Sequence, residues 1–142
     1  MDQYKEEDCS LLATLKIIGR KWISLILSEI LVSGPISFSN LLTKIRGLSG
    51  KRISARALTD SLDVLLENQL LEREIIQERP FRVHYHLTEK GRDVEVIFAA
   101  LKGWGIKWGG IKHKKCRSFT CFHNGVPSLD IDRIREFLYL GD

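Results

Sequence analysis

Four side chains of the kinds that bind zinc fall within one short run, HKKCRSFTCFH, as His113, Cys116, Cys121 and His123. Such groups hold a metal when their spacing lets them converge, and Cys-x4-Cys-x-His lacks the tight Cys-x2-Cys knuckle of structural zinc sites. The lysines between them also oppose a cation. The run therefore reads first as a basic linker, with His113, Cys116, Cys121 and His123 as the alternative metal set and with no cofactor expected. A Cys116–Cys121 disulfide is a further alternative, unusual in a reducing compartment. Cys9 stands apart, after Glu6, Glu7 and Asp8 and before an apolar helical pattern. Acidic neighbours raise a thiol pKa and a helix N-terminus lowers it, so opposing influences act on Cys9 as a candidate redox sensor. Catalytic constellations are missing: there is no P-loop, no G-x-G-x-x-G and no G-x-S-x-G, and the histidines stand beside no Ser or Cys at triad-like spacing. An enzyme is not expected.

A second constellation lies in ISARALTDSLDVLLENQLLER, Ile53 to Arg73, followed by ERPFRVHYHLTEKGR, Glu78 to Arg92. Leu58, Leu62, Leu65 and Leu66 stand at i, i+4, i+7 and i+8, one stripe of a helix that Ser54 can cap. Ala55, Arg56, Thr59, Asp60 and Asp63 are left outside it. A helix with a packed inner stripe and small or polar residues outside can enter a DNA major groove. There Arg56 would contact guanine or phosphate, Thr59 a base edge or phosphate, and the Ala55 methyl a thymine methyl. Ser39 and Ser54, near helix N-termini, are candidates for phosphate, as are Lys51, Arg52 and Lys90. Arg79 and Arg82, around the tip of a hairpin, are candidates for the backbone or minor groove. Plainer accounts stand beside each: a striped helix is by default a surface helix, tip arginines often only solubilise or protect an edge strand, and Asp60 and Asp63 repel phosphate. The joint arrangement favours DNA.

The elements that must position these residues can be traced in order. Leu11, Leu12, Leu15 and Ile18 mark a first helix that Gly19 ends. KWISLILSEILVSG is apolar almost all round, the pattern of a central buried helix stopped by Gly34 and Pro35. SFSNLLTKI predicts a short third helix behind a Ser37 or Ser39 cap, and RGLSGKRI a loop. LLEREIIQ and RVHYHL predict two strands, with Val83, Tyr85 and Leu87 alternating against Arg82, His84 and His86. Thr88 should cap a long helix that frays near Gly103 or Gly105, and SLDIDRIREFLYL should close the chain as an amphipathic helix. The expected class is mainly α with a small β-hairpin wing (α+β), a winged helix-turn-helix over 1–108 with flanking dimerisation helices. Residues 109–142 form a basic linker and C-terminal helix.

Composition agrees with that division. At 142 residues and 44% hydrophobic, the chain can bury a proper core in one domain with an added arm. The net charge of +4 permits nucleic-acid binding without arguing for it. Its placement says more, since no Asp or Glu occurs from Val96 to Leu129 while Lys102, Lys107, Lys112, Lys114, Lys115 and Arg117 do. No run approaches the roughly 18 apolar residues of a membrane span, and MDQYKEEDCS is too acidic and polar for a secretory signal. A cytoplasmic protein without membrane contact is expected.

With these residues in view, the chain resembles the HxlR-type regulators, relatives of the MarR winged helices, from about Cys9 to Gly105. The resemblance is carried in order by Cys9, IIGRKW (17–22), GPISFSNL (34–41), ISARALTDSL (53–62), LLER (70–73), PFRVHYHLTEKGR (80–92) and Trp104–Gly105. It implies a homodimeric transcription factor on a near-palindromic operator in double-stranded DNA, with dimer contacts from the N- and C-terminal helices. It further implies that Arg82 meets the minor groove or a phosphate, and that a thiol at Cys9 or a small-molecule effector can supply regulation. The chain departs from the family's pattern at three places. RGLSGKR, Arg46 to Arg52, lengthens the turn before the recognition helix; Gln69 replaces a common glycine, which shifts the expected capping role to Asn68; and His84 replaces the usual Glu. A winged-helix module that binds protein partners, its basic tail serving a larger assembly, remains the alternative from another class. Steep salt dependence of DNA binding would separate the two.

Overall fold

The computed structural model describes residues 9–49 and 52–108. Lys51 and the whole of 109–142, with His113, Cys116, Cys121, His123 and the expected terminal helix, lie outside the described residues. The elements run α1 (Ser10–Ile18), α2 (Lys21–Ser33), β1 (Ile36–Ser37), α3 (Phe38–Ser49), α4 (Ala55–Glu67), β2 (Leu71–Glu78), β3 (Phe81–Leu87) and α5 (Glu89–Trp108). The strands form one antiparallel sheet in the order β1-β3-β2. Among the described residues, five helices around a small sheet, with α3 and α4 as the helix pair and β2–β3 as the wing, make this a winged helix-turn-helix.

The all-round apolarity of α2 explains its place. Ile23, Ile26, Leu27 and Ile30 are each 1% exposed or less, and α1, α3, α4 and α5 pack around them. From α4, Leu58, Leu62 and Leu65 enter the same core at 2% exposure or less, with Leu66 half-buried beside them. Each buried leucine contributes about 2 kcal/mol, so the stripe holds the helix by its inner face and leaves the outer one unencumbered. The buried carboxylate of Glu29 also lies on α2. Its Oε1 accepts from the Ser33 hydroxyl at 2.6 Å and meets Lys44 Nζ of α3 at 3.3 Å, while Lys44 donates to Ser33 at 2.9 Å. Its Oε2 has no hydrogen-bond partner among the described residues.

The structure corrects several expectations. Helix three is not short: α3 runs on through Gly47 to Ser49 and absorbs most of the insertion as helix. Arg46 Nε then donates to the Ile53 carbonyl at 2.9 Å, closing the connection onto a buried residue at the entry to α4. Of the two possible caps it is Ser37 whose Oγ accepts, from the Asn40 N–H at 3.3 Å. Ile36 and Ser37, expected as a lead into that helix, form a third strand paired with Tyr85 and His84. Helix α5 passes Gly103 and Gly105 without a break and reaches Trp108.

The exit of α4 is built differently from expectation too. Asn68 is the C-cap residue, but the left-handed position belongs to Gln69, at φ 60°. The Leu70 N–H donates to the Leu65 carbonyl at 2.9 Å and the Gln69 N–H to Leu66 at 3.0 Å, the paired bonds of a Schellman motif. Glycine takes this conformation without the Cβ strain of about 1 kcal/mol that other residues carry. Gln69→Gly should therefore raise the unfolding free energy by about 1 kcal/mol, read from the urea midpoint at unchanged slope. No gain would mean that the glutamine side chain contributes as much as its backbone costs.

Candidate nucleic-acid interface

Residues on the outer side of α4 are presented by the same helix that buries the leucine stripe. Ala55, Arg56, Thr59, Asp60 and Asp63 are all exposed. Ser54 caps the helix, its Oγ accepting from the Ala57 N–H at 3.0 Å, which leaves its O–H to donate outward. The Thr59 hydroxyl donates to the Ala55 carbonyl at 2.9 Å, so toward a base it can act only as an acceptor, suited to adenine N6 or cytosine N4. The Arg56 guanidinium has no protein partner among the described residues and keeps its full donor fork for guanine or phosphate. Arg52, just ahead of the cap, is exposed.

The wing is a ribbon set in register by seven cross-strand pairs, from Leu71↔Leu87 at the base to Glu78↔Phe81 at the tip. Between Ile75 and Gln77 the register shifts, a bulge that leaves Ile76 unpaired and accounts for the poor alternation of β2. Arg79 occupies the turn, where its carbonyl accepts from Gln77 Nε2 at 2.8 Å, and Arg82 opens β3. Both are exposed, as is Phe81 between them.

Ser39, in the first turn of α3, is brought to the wing. A groove of about 630 Å3 between this turn and β3 is lined by Ser39 and Arg82 together with Ser37, Asn40 and His84. Ser39 and Arg82, separate candidates in the sequence, thus share a groove with His84, which the sequence marks only as standing in place of the family's usual Glu, and with Asn40, which nothing in the sequence singles out. The alternation of His84 with Arg82 along β3 was the available signal. Lys90 does not join this set. Its Nζ donates to the Asn68 carbonyl at 2.8 Å, at the C-terminal end of α4, about 18 Å of helix away from Arg56. There, with Thr88, whose hydroxyl donates to the Gln69 carbonyl at 2.6 Å, it ties α5 to the exit of α4.

Opposite features gather on α1 and α5. Leu11, Leu12 and Leu15 on the first, and Leu101, Trp104 and Trp108 on the second, are 38% to 68% exposed. Cys9 is half-buried at the N-cap of α1, where its carbonyl accepts from the Ala13 N–H at 2.9 Å. Among the described residues, no group of His, Cys, Asp and Glu is arranged to hold a metal ion, and no helix is long and apolar enough to cross a membrane.

Comparison with known proteins agrees with the architecture. An HTH-type transcriptional regulator of Methanothermobacter thermautotrophicus is 40% identical over 101 residues, 71% of this chain and 72% of that protein. The HTH-type regulator YodB of Bacillus subtilis is 30% identical over 92 residues, 65% of this chain and 77% of its own length. The structure of reduced YodB superposes with a TM-score of 0.61 at 29% identity, covering 70% of this chain and 93% of that one. The redox regulator HypR in its reduced form superposes at 0.59 and 30% identity, covering 70% and 92%. The HxlR-like helix-turn-helix family matches residues 17–113, from the end of α1 through the whole helix-turn-helix and wing, and the chain belongs to that family of transcriptional regulators.

Proposed function

We propose that the protein is a cytoplasmic, sequence-specific DNA-binding regulator that acts as a homodimer on a near-palindromic operator. The supporting observation is the division of α4 into a buried leucine stripe and an exposed face on which Arg56 has no protein partner among the described residues. Arg56, Thr59 and Ala55 read bases; Ser39, Arg52, Ser54, Arg79 and Arg82 hold the backbone, a role expected also of Lys51, outside the described residues. A twofold axis through the apolar faces of α1 and α5 would set two copies of α4 about 34 Å apart, one DNA turn, so that each reads a half-site. Input enters through α1. Cys9 stands at its N-terminus, and the neighbours YodB and HypR are known in reduced and in diamide-treated or oxidised forms. A hollow of about 310 Å3 between α1, α5 and the exit of α4, lined by Ile17, Ile18, Leu70, Val94 and Ile97, is the seat for a small apolar effector acting on the same junction.

The test is selection of bound fragments from genomic DNA, followed by titration of the enriched duplex. Arg56→Ala should weaken that duplex by roughly 1 to 3 kcal/mol and relax preference at one position per half-site, with a smaller loss on random DNA. Equal losses on both would make Arg56 a phosphate contact. The same titration on diamide-treated protein reads the thiol, and unchanged affinity would remove Cys9 from the mechanism. If nothing is enriched and salt has little effect, a protein-binding winged helix takes precedence.

A further inference from the structure

His84 lies opposite Ser37 of β1 on one side and Glu74 of β2 on the other. Directly paired residues project to the same face of a sheet, and so do alternate residues along a strand. Arg82, His84 and His86 of β3 therefore share the face away from the core with Glu72, Glu74 and Ser37. The opposite face carries Ile36, Leu71 and Leu87 into the core, with Tyr85 packed against it. On the polar face, His86 Nε2 lies 3.7 Å from Glu72 Oε2. His84 has no hydrogen bond or ion pair among the described residues, and it lines the groove that Ser39 and Arg82 also line.

We propose that His84 is a further DNA contact, holding a backbone phosphate in this groove together with Arg82 and Ser39, and that it does so as the imidazolium. The inference rests on the DNA-binding reading above and assigns a residue and a proton to it. Among the described residues, the charged and titratable groups around His84 are Glu74 across the ribbon, Arg82, Tyr85 and His86 along its own strand, and Glu72 beyond; β1 and the first turn of α3 contribute the uncharged Ser37, Ser39 and Asn40. With His84 neutral, the Glu74 carboxylate beside the groove repels phosphate and opposes Arg82. Protonation adds one positive charge that offsets Glu74 and leaves Arg82 unopposed. A bound phosphate favours the charged ring, so affinity should be greater in mildly acid than in mildly alkaline solution.

The probe is a labelled mixed-sequence DNA duplex followed by fluorescence anisotropy, which needs no operator. The full-length protein should bind roughly tenfold more tightly at about pH 6 than at about pH 8, with a salt slope steeper by about one unit per subunit. His84→Gln should show the weaker affinity and shallower slope at both pH values. His84→Lys, with a fixed charge, should bind tightly at both. His86→Gln should keep the parent's pH dependence, since that ring is engaged by Glu72. A His84→Gln protein that retains the full pH dependence overturns the inference while leaving DNA binding intact. A parent that binds no duplex at low salt at either pH overturns the DNA reading and the inference with it.

Discussion

Leu15→Asp should leave the helix-turn-helix folded and yet lower operator affinity by about two orders of magnitude. Leu15 is 46% exposed on α1 and lies outside the buried core, so a carboxylate there is hydrated in the single chain. If a pair of chains covers the exposed Leu11, Leu12, Leu101, Trp104 and Trp108, the carboxylate would be covered with them, and an unpartnered charge is costly to bury. Exposed apolar side chains that form a contiguous surface mark an interaction site. Two linked half-site contacts gain about 10²- to 10⁴-fold over one through effective concentration, and splitting the pair forfeits that gain. Sedimentation should show the variant as a monomer at concentrations where the parent is a dimer, with matching far-UV circular dichroism. A parent that sediments as a monomer at micromolar concentration, or a variant that assembles as before, would exclude this face as the dimer interface.

Gly91→Ala should be the most damaging single-methyl addition in the described chain. A Cβ at position 91 would lie 2.2 Å from the Leu70 carbonyl oxygen and 3.1 Å from Leu87 Cδ2. The first of these is backbone, and that oxygen already accepts from the Thr88 N–H at 3.1 Å. The start of α5 would have to lift from the base of the ribbon, pulling Thr88 from the Gln69 carbonyl and Lys90 from Asn68. Overpacking with backbone displacement costs about 3 kcal/mol, a large share of the 5–15 kcal/mol that holds such a domain. Thermal unfolding should shift down by more than 10 °C, on the order expected for a domain this size. A shift of only a degree or two would mean that α5 moves freely against the ribbon, contrary to the tight junction described above.

What was legible in the sequence followed from periodicity. The leucines of α4 recur on one face of a helix, and the apolar run of α2 has no polar face to misplace, so both are set by burial alone. β1 was not legible because two residues have no period; Ile36 and Ser37 are a strand only because Tyr85 and His84 arrive beside them from the far side of the chain. Arg46 to Ser49 carries Gly47 and Ser49, both weak helix formers, yet the helix continues and Arg46 reaches the Ile53 carbonyl. Gln69 hid a left-handed turn because its side chain gives no sign of its backbone angle. At the interface, Arg56, Thr59, Arg79 and Arg82 could be nominated from residue type and exposure. That Ser39, Arg82 and His84 face one groove depends on strand register, and that Lys90 faces the other end of α4 depends on a bond between distant residues. Neither can be read from local spacing.

The contact between Glu29, Ser33 and Lys44 imposes an order on how this chain can diverge. Glu29 is 1% exposed and Lys44 48%. Losing Lys44 first strands a carboxylate that already has one oxygen unpartnered, at about 3 to 5 kcal/mol, whereas losing Glu29 first leaves an ammonium with access to water. Descendants that carry an apolar contact between α2 and α3 should thus have passed through a neutral residue at 29 while 44 was still lysine. The outer face of α4 carries no such constraint. Positions 55, 56 and 59 can change singly and in any sequence, so under the proposed DNA reading operator preference would be free to drift while the seat of the first helix of the pair stays historically locked.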